Sequence, residues 1–163
     1  MPRPRPPQTD AADSLPAVSL LATRWIERLL AQLDPPMTVA QYLALRAIGR
    51  EDISGTELAR RSGVSGPAVS QLVAGLSEEG LLERQPTEGD RRRVTLALSH
   101  AGVRALDTAE KALRKRLGSL LGDLPGPEAD ALARALPAVE AALSGAPPPR
   151  RPPPRPPRPP RGR

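Results

Sequence analysis

Cysteine and phenylalanine are absent from this chain of 163 residues, and histidine, tryptophan and tyrosine occur once each. Without cysteine there is no disulfide, no thiolate metal site and no thiol-based oxidant sensor. A single histidine excludes a multi-histidine metal site within one chain, so we expect neither a metal nor a cofactor. With Trp25 and Tyr42 as the whole aromatic content, the core has to be built from leucine, valine, isoleucine and alanine.

Long apolar runs are also missing, and no stretch approaches the roughly 18 residues of a membrane span. The basic amino terminus has no adjoining apolar segment with a cleavage site, which disfavours a secretory signal and predicts a cytoplasmic protein. The sequence contains no nucleophile–base–acid set and no glycine-rich phosphate loop. Its turn carboxylates, Glu88 and Asp90, lie beside arginines rather than in an apolar pocket, so we do not expect an enzyme.

Positive charge is concentrated at the two ends of the chain. Residues 1–7 and 146–163 contain 14 of the 22 prolines and eight of the 24 basic residues, but no acidic residue. Between them, 16 basic residues face 18 acidic ones, so this part carries about −2 although the whole chain carries +6. Because Pro/Arg-rich segments cannot form a core, we predict a disordered arm over 1–12, a single domain over 13–145 and a disordered tail over 146–163, with polyproline II as the tail's local form.

Apolar spacing and capping motifs predict the first three helices. An apolar stripe from Leu15 to Leu33 predicts a helix that Pro35-Pro36 ends. Two stretches, Thr38-Val39-Ala40-Gln41 and Ser54-Gly55-Thr56-Glu57, have the form of capping boxes. They predict a second helix that continues to about residue 50 and a short third helix that ends at about residue 63.

A fourth helix and a pair of strands follow. Ser65 is expected to cap a helix that runs to Glu79, and Gly80 suits the left-handed residue that ends it. Leu81–Gln85 and Arg92–Leu98 are strand-like, the second because apolar and polar residues alternate along it. Turn-forming residues separate the two strands. Two helices, a strand, a basic loop and a second strand, in this order, indicate a winged helix-turn-helix.

Two longer helices complete the chain. Ser99 caps the fifth, Pro125-Gly126-Pro127 ends it, and the last begins near Glu128, with Pro137 expected to kink or restart it. The predicted fold class is mainly α with a small two- or three-stranded β wing. It combines a winged helix-turn-helix over residues 37–99 with a helical dimerisation region.

The outer face of the fourth helix is the first candidate for contact with DNA, because a helix reads the major groove with exposed residues near its amino end. The expected buried row is Val69, Leu72, Val73 and Leu76. The residues left outside are Gly66, Pro67, Ser70, Gln71 and Ala74. Gln71 can bond an adenine bidentately, Pro67 can touch a thymine methyl group, and Ser65 with the first-turn N–H groups can bind a phosphate. The alternative is that these are ordinary solvated positions.

The second candidate is the run Asp90-Arg91-Arg92-Arg93, which follows a glycine turn at the tip of a predicted hairpin. Guanidinium groups fit a narrow minor groove, and Asp90 can orient one of them by a charge-assisted hydrogen bond. A solvated charged turn is the alternative. Three further arginines either meet phosphates or are surface charges and partners for Glu57 or Glu83: Arg60, Arg61 and Arg84.

The ordered pattern LAxxxGVSxxxVSxLVxxLxxxGLLxR, then GDRRR, then LSxxG, resembles the MarR family of bacterial transcriptional regulators. Its motifs run from Ser54 to Gly102, and the order of elements is similar from about Leu15 to Leu143. The resemblance implies a homodimer held by residues 13–36 and 100–145, with Arg92 in the minor groove. The predicted DNA-contacting residues are Ser54, Thr56, Ser65, Gly66, Pro67, Ser70, Gln71, Arg84, Asp90, Arg91, Arg92 and Arg93.

The resemblance also implies a possible small-molecule effector, since ligand-responsive members bind small acids between the dimer helices and the winged domain. Trp25 and Tyr42 border that place, although both suit the core, and His100 is expected to be exposed. The Pro/Arg tail is foreign to the family pattern. The sequence therefore predicts a dimeric repressor that binds a pseudo-palindromic duplex. The alternative is a winged-helix interaction module whose tail binds partners or nucleic acid non-specifically.

Overall fold

The structure, a computed structural model, describes residues 7–51, 53–62, 65–87 and 90–145, with only the backbone described at 7, 61, 62, 84–87, 90–94 and 145. Its elements are α1 (Pro7–Leu30), α2 (Val39–Arg50), α3 (Gly55–Ser62), α4 (Gly66–Glu78), β1 (Leu82–Thr87), β2 (Asp90–Leu98), α5 (His100–Leu121) and α6 (Gly126–Gly145). Two compact units are present, one ending at Asp123 and one beginning at Leu124. None of the described helices is both long and apolar enough to cross a membrane.

The core of the first unit is aliphatic, as the shortage of aromatic residues predicts. Leu30 of α1, Leu45 of α2 and Leu76 of α4 are completely buried. Around them pack other buried aliphatic side chains: Ile48, Ile53, Leu58, Val69, Leu96, Ala109 and Leu113. Each fully buried leucine stabilises the fold by about 2 kcal/mol relative to an exposed one. The core therefore joins α1, α2 and α5 to the short helices and the sheet.

The sheet has two antiparallel strands, and its register runs from Leu82 opposite Leu98 to Pro86 opposite Val94. Ile53, just before α3, adds an isolated bridge to β2, with the Leu96 N–H donating to the Ile53 carbonyl at 3.1 Å. Leu96 is buried and Leu98 packs against the core, which confirms the predicted inward face of β2 for these two residues.

Capping residues set most of the helix boundaries where the sequence predicts them. The Thr38–Gln41 capping box is complete at the start of α2. Gly80 adopts the left-handed conformation, with a φ of 70°, directly after α4. The Ser99 hydroxyl accepts a hydrogen bond from the Gly102 N–H at the start of α5. These boundaries confirm the predicted capping boxes and caps of α2 and α5 and the predicted turn after α4.

The predicted bounds of α1 and the predicted end of α5 are wrong, and α1 ends at Leu30 rather than near Pro35-Pro36. α1 begins at Pro7 rather than Leu15 and contains Pro16, so residues 7–12 of the predicted disordered arm are helical. α5 ends at Leu121, before the Pro-Gly-Pro stretch, because the chain turns at Gly122. α6 runs without a break through Pro137, so this proline does not restart the helix. The prediction for residues 146–163 lies outside the described residues.

Candidate nucleic-acid interface

α4 separates its side chains into a buried face and an exposed face. Val69, Val73 and Leu76 are buried with relative exposures of 3%, 7% and 0%, and Leu72 packs against the core. Ala68 and Glu78 are exposed, and so are the five positions predicted from the sequence: Gly66, Pro67, Ser70, Gln71 and Ala74. Most of these side chains are small, so another molecule can approach the helix backbone closely. Gln71 and Ser70 are the hydrogen-bonding side chains among these five positions.

The amino end of α4 points unpaired polar groups outward. Ser65 occupies the cap position with extended backbone, but its hydroxyl makes no capping bond to the helix, so the predicted side-chain cap is not formed. The helical ladder begins with the Val69 N–H on the Ser65 carbonyl, at 3.1 Å. The Gly66 and Ala68 N–H groups lie in the first turn and have no helical partner, and Pro67 has no N–H to donate. Two N–H donors and one hydroxyl at a helix amino end can bind an anion.

α3 begins with a cap of its own. The Glu57 N–H donates to the Ser54 hydroxyl oxygen at 3.2 Å, which confirms one half of the predicted capping box. The Glu57 carboxylate accepts two bonds from Arg60, at 2.8 and 2.6 Å. Arg60 is therefore an ion-pair partner of Glu57, one of the two roles predicted for it. Thr56 is exposed in the first turn.

The backbone places the arginine run in an irregular part of the hairpin. Pro86 pairs with Val94, and the next residue of β1, Thr87, pairs with Asp90. Arg91, Arg92 and Arg93 therefore have no opposite residues in β1, and they form a bulge next to the hairpin turn. Bulges increase local twist and redirect side chains. The side chains of Arg84 and of residues 90–93 lie outside the described residues, as does the side chain of Arg61.

One contact that the sequence analysis missed holds the other end of α4. Gln41 Nε2 donates to both carboxylate oxygens of Glu79, at 3.1 and 3.3 Å, while its Oε1 accepts from the Thr38 N–H at 2.9 Å. The link joins the start of α2 to the C-cap of α4 across 38 positions of sequence. One feature of the sequence pointed to this contact. A glutamine in a capping box accepts the capping bond with its side-chain carbonyl oxygen, so its amide NH2 group remains able to donate to another residue.

The candidate effector residues lie at the edge of the core. Trp25 and Tyr42 are half-buried and pack against it, and His100 is exposed and contacts Arg104. A cavity of about 440 Å³ lies between the end of α1 and α5. It is lined by Leu29, Gln32, Leu33, Ala112, Lys115, Arg116 and Ser119. Neither aromatic residue lines this cavity, which combines two leucines with two cationic side chains.

Comparison with known proteins extends these observations. Residues 36–93 match the model of the MarR family. An HTH-type transcriptional regulator of Mycobacterium tuberculosis is 29% identical over 115 residues, covering 69% of this chain and 80% of the relative. Wild-type MarR from E. coli is structurally similar, with a TM-score of 0.68, 24% identity and coverage of 84% and 98% of the two chains. FabT of Streptococcus pneumoniae, solved in complex with DNA, gives a TM-score of 0.69 at 17% identity, with coverage of 83% and 96%.

Proposed function

Because the resemblance to MarR-family transcriptional regulators and the winged-helix fold are both confirmed, we propose that this chain is a homodimeric repressor that binds a specific DNA sequence. Two copies bind a pseudo-palindromic duplex, with residues 66–79 in the major groove and residues 86–93 in the adjacent minor groove. The similarity to FabT, which was solved on DNA, supports this choice of ligand.

The exposed face of α4 carries the proposal. Its buried face packs into the core through Val69, Val73 and Leu76, while its other face is exposed. Ser70 and Gln71 supply hydrogen-bonding groups, and glutamine matches the donor and acceptor pair on the major-groove edge of adenine. Gly66 and Pro67 add small contacts near the amino end.

Phosphate contacts are proposed at the amino ends of two neighbouring helices. Ser65 and the Gly66 and Ala68 N–H groups lie at the start of α4, and Ser54 and Thr56 lie at the start of α3. Helix amino ends favour anions because N–H groups and the helix dipole both point toward them. Such contacts position the protein on the duplex and do not choose its sequence.

The wing is proposed to add minor-groove contacts. The backbone of residues 91–93 forms the bulge of β2, and Asp90 pairs with Thr87 at the end of the sheet. In this position the family resemblance implies that Arg92 enters the groove and that Asp90 orients it. Arg91, Arg93 and Arg84 are proposed to add attraction to the duplex backbone.

Dimerisation is proposed from the apolar side chains that α1 and α5 leave in contact with water. Leu15, Val18, Leu20 and Leu21 of α1 are 40 to 66% exposed, and Val103 and Leu120 of α5 are more than half exposed. In the second unit, α6 exposes Leu136 and Leu143. Extensive exposed apolar surface of this kind marks an interface, and a second copy of the chain offers the same surface in return.

Response to a small effector is proposed at the cavity between α1 and α5 rather than at Trp25 or Tyr42. Its volume of about 440 Å³ is within the range of small-molecule sites. Leu29 and Leu33 offer apolar contacts, while Lys115 and Arg116 offer positive charge. A small organic acid has the matching chemistry, since its carboxylate pairs with the cations and its apolar body contacts the leucines.

A selection of binding sites from random duplex DNA, followed by footprinting, tests the proposal. We expect a symmetric protected site whose halves lie about one helical turn apart, or a small multiple of it. Gln71→Ala should lose about 1–3 kcal/mol of discrimination at one base position of each half-site, while other positions keep their preference. Gln8→Ala, which removes an exposed glutamine from α1, is the matched control and should give the wild-type profile.

Two results would overturn parts of this proposal. An unchanged selection profile for Gln71→Ala would make this residue a solvated side chain. Binding without sequence preference that depends on the Pro/Arg tail would favour the interaction-module alternative. That alternative has one observation in its support, because the residues between the basic ends carry a net charge of about −2.

A further inference from the structure

The end of α4 and the start of α5 are tied together at one compact joint, formed by Gly80, Leu81, Ser99 and Gly102. The Ser99 hydroxyl donates to the Gly80 carbonyl at 2.6 Å and accepts from the Gly102 N–H at 3.0 Å. The Ser99 N–H donates to the Leu81 carbonyl at 3.0 Å. Ser99 is therefore both the cap of α5 and a link to the residues that leave α4.

The joint is closely packed as well as hydrogen-bonded. Among the residues whose side chains the structure describes, Ser99 is the one polar residue that is buried, with 8% of its surface exposed. A Cβ atom added at Gly102 would lie 2.1 Å from the Leu81 carbonyl oxygen, so the first turn of α5 touches the backbone after α4 directly. The Leu81 N–H in turn donates to the Leu76 carbonyl of α4 at 2.9 Å.

Removing the Ser99 hydroxyl would loosen this joint in two places. The buried Gly102 N–H would lose its acceptor, and the Gly80 carbonyl, at a part-buried position, would lose a donor. Buried groups left without partners are costly, so the backbone would shift to satisfy them.

The length of α4 magnifies such a shift. Its 13 residues span about 20 Å, and the proposed DNA-reading residues lie at the end remote from the joint. A change of about 10° at the joint therefore moves the reading end by roughly 3.5 Å, which is close to the 3.4 Å rise of one base pair. In a dimer held partly by α5, the displacement is applied in both halves.

We propose that Ser99 is a positioning residue that sets the distance between the two reading helices, and through it the preferred spacing between half-sites. The inference rests on the proposed dimeric DNA binding. Ser99 touches neither DNA nor a partner chain in this account, because it acts by fixing the angle between α4 and α5. Its expected signature is a change in spacing preference rather than a uniform loss of affinity.

The test measures binding of the full chain to three duplexes: the selected symmetric site, and versions with one base pair added or removed between the half-sites. We expect wild type to prefer its own spacing by at least about tenfold, since a one-base-pair error displaces and rotates one half-site. Ser99→Ala should reduce this preference at least about fivefold or move it to another spacing. Ser99→Thr keeps the hydroxyl and should retain the wild-type spacing preference.

Ser77→Ala is the matched control, because the Ser77 hydroxyl donates at 2.8 Å to Val73 within α4 and does not bridge to α5. It should keep the wild-type spacing preference. If Ser99→Ala does not fold, Ser99→Gly removes the same hydroxyl at a cap position, where glycine is tolerated better than alanine. Its spacing preference then decides the question in the same way.

The outcomes separate this inference from the function on which it rests. A folded Ser99→Ala or Ser99→Gly variant with the wild-type spacing profile overturns the positioning role and leaves the DNA-binding proposal intact. Wild type that prefers no symmetric duplex over unrelated DNA overturns the proposed function itself. A changed profile in the Ser99 variants, with Ser77→Ala and Ser99→Thr unchanged, supports the inference.

Discussion

Single residues in this fold carry very different structural demands, and two glycines show the contrast. At Gly102 a methyl group would meet the Leu81 carbonyl oxygen at 2.1 Å, whereas at Gly75 in α4 it would meet nothing within 4 Å. Gly102→Ala should therefore lower the free energy of unfolding by about 1–3 kcal/mol, since backbone has to move. Gly75→Ala should raise it by about 0.5–1 kcal/mol by removing a helical glycine.

Urea unfolding followed by circular dichroism measures both changes. The two variants add the same methyl group, so a difference between them reflects the surroundings of each glycine. Equal stabilities for wild type and Gly102→Ala would contradict the close approach of α5 to the residue after α4.

The caps were largely predictable from sequence because each depends on neighbours within a few positions. Thr38 with Gln41, Ser99 with Gly102, and Gly80 after α4 all follow local hydrogen-bonding rules. Ser65 fits the same rule, yet its hydroxyl makes no capping bond to the helix. The Gln41–Glu79 link could not be predicted, since it depends on tertiary packing that brings together residues 38 positions apart.

At the scale of elements, helix boundaries were predicted least well where the described side chains of a helix are exposed. The apolar stripe that begins at Leu15 predicts a start there, but α1 extends back to Pro7 with exposed side chains throughout its first turns. Periodicity detects burial rather than helix formation. α6 likewise tolerates Pro137, a residue that favours a break by local rules but does not enforce one.

In the candidate site, too, some features were predictable from the sequence and others were not. The exposed and buried faces of α4 follow from its helical period, and the structure confirms them at Val69, Val73 and Leu76. The wing was predicted as an alternating strand after a turn, but its bulge was not. A bulge depends on how two strands pair, which the alternation within one strand does not specify.

The exposed apolar face of α1 leads to a prediction about assembly. Leu21 is 66% exposed, and if this face packs against a second copy, Leu21→Glu buries a carboxylate in an apolar interface. We expect the dimer dissociation constant to rise at least about 100-fold, equivalent to about 2.7 kcal/mol. Sedimentation equilibrium measures it, and binding to a symmetric duplex should weaken in parallel.

Leu43→Glu is the matched control for that experiment. Leu43 lies on α2, outside the proposed dimerisation helices, and is 53% exposed. The control should keep the wild-type dissociation constant. A Leu21→Glu protein that is as dimeric as wild type would remove this face of α1 from the interface.

For the whole molecule, the distribution of charge predicts two separable modes of binding to nucleic acid. Six of the arginines lie in residues 150–163, while the part between the two basic ends is slightly acidic. Changing these six to glutamine in the full chain should reduce the slope of log affinity against log salt by up to about 5, because each arginine neutralises at most one phosphate. Preference for the selected site over unrelated duplex should remain.

A salt titration of both proteins on both duplexes makes this comparison. The wild-type chain is the reference. The variant keeps every proline, so the two proteins differ in the charge of the tail and not in its proline content. An unchanged slope would mean that the tail makes no contact with DNA. If the variant showed both a smaller slope and no preference for the selected site, the tail would be the part that recognises the DNA sequence. That result would contradict the role proposed for α4.

The two faces of α4 also have a consequence for how such a protein changes over time. Folding depends on Val69, Val73 and Leu76, whereas Ser70 and Gln71 project away from the core. Exchanges on the outer face therefore cost little stability, typically within about 0.5 kcal/mol. After gene duplication, one copy can drift to a new target sequence through a few outward-facing exchanges while its fold stays intact.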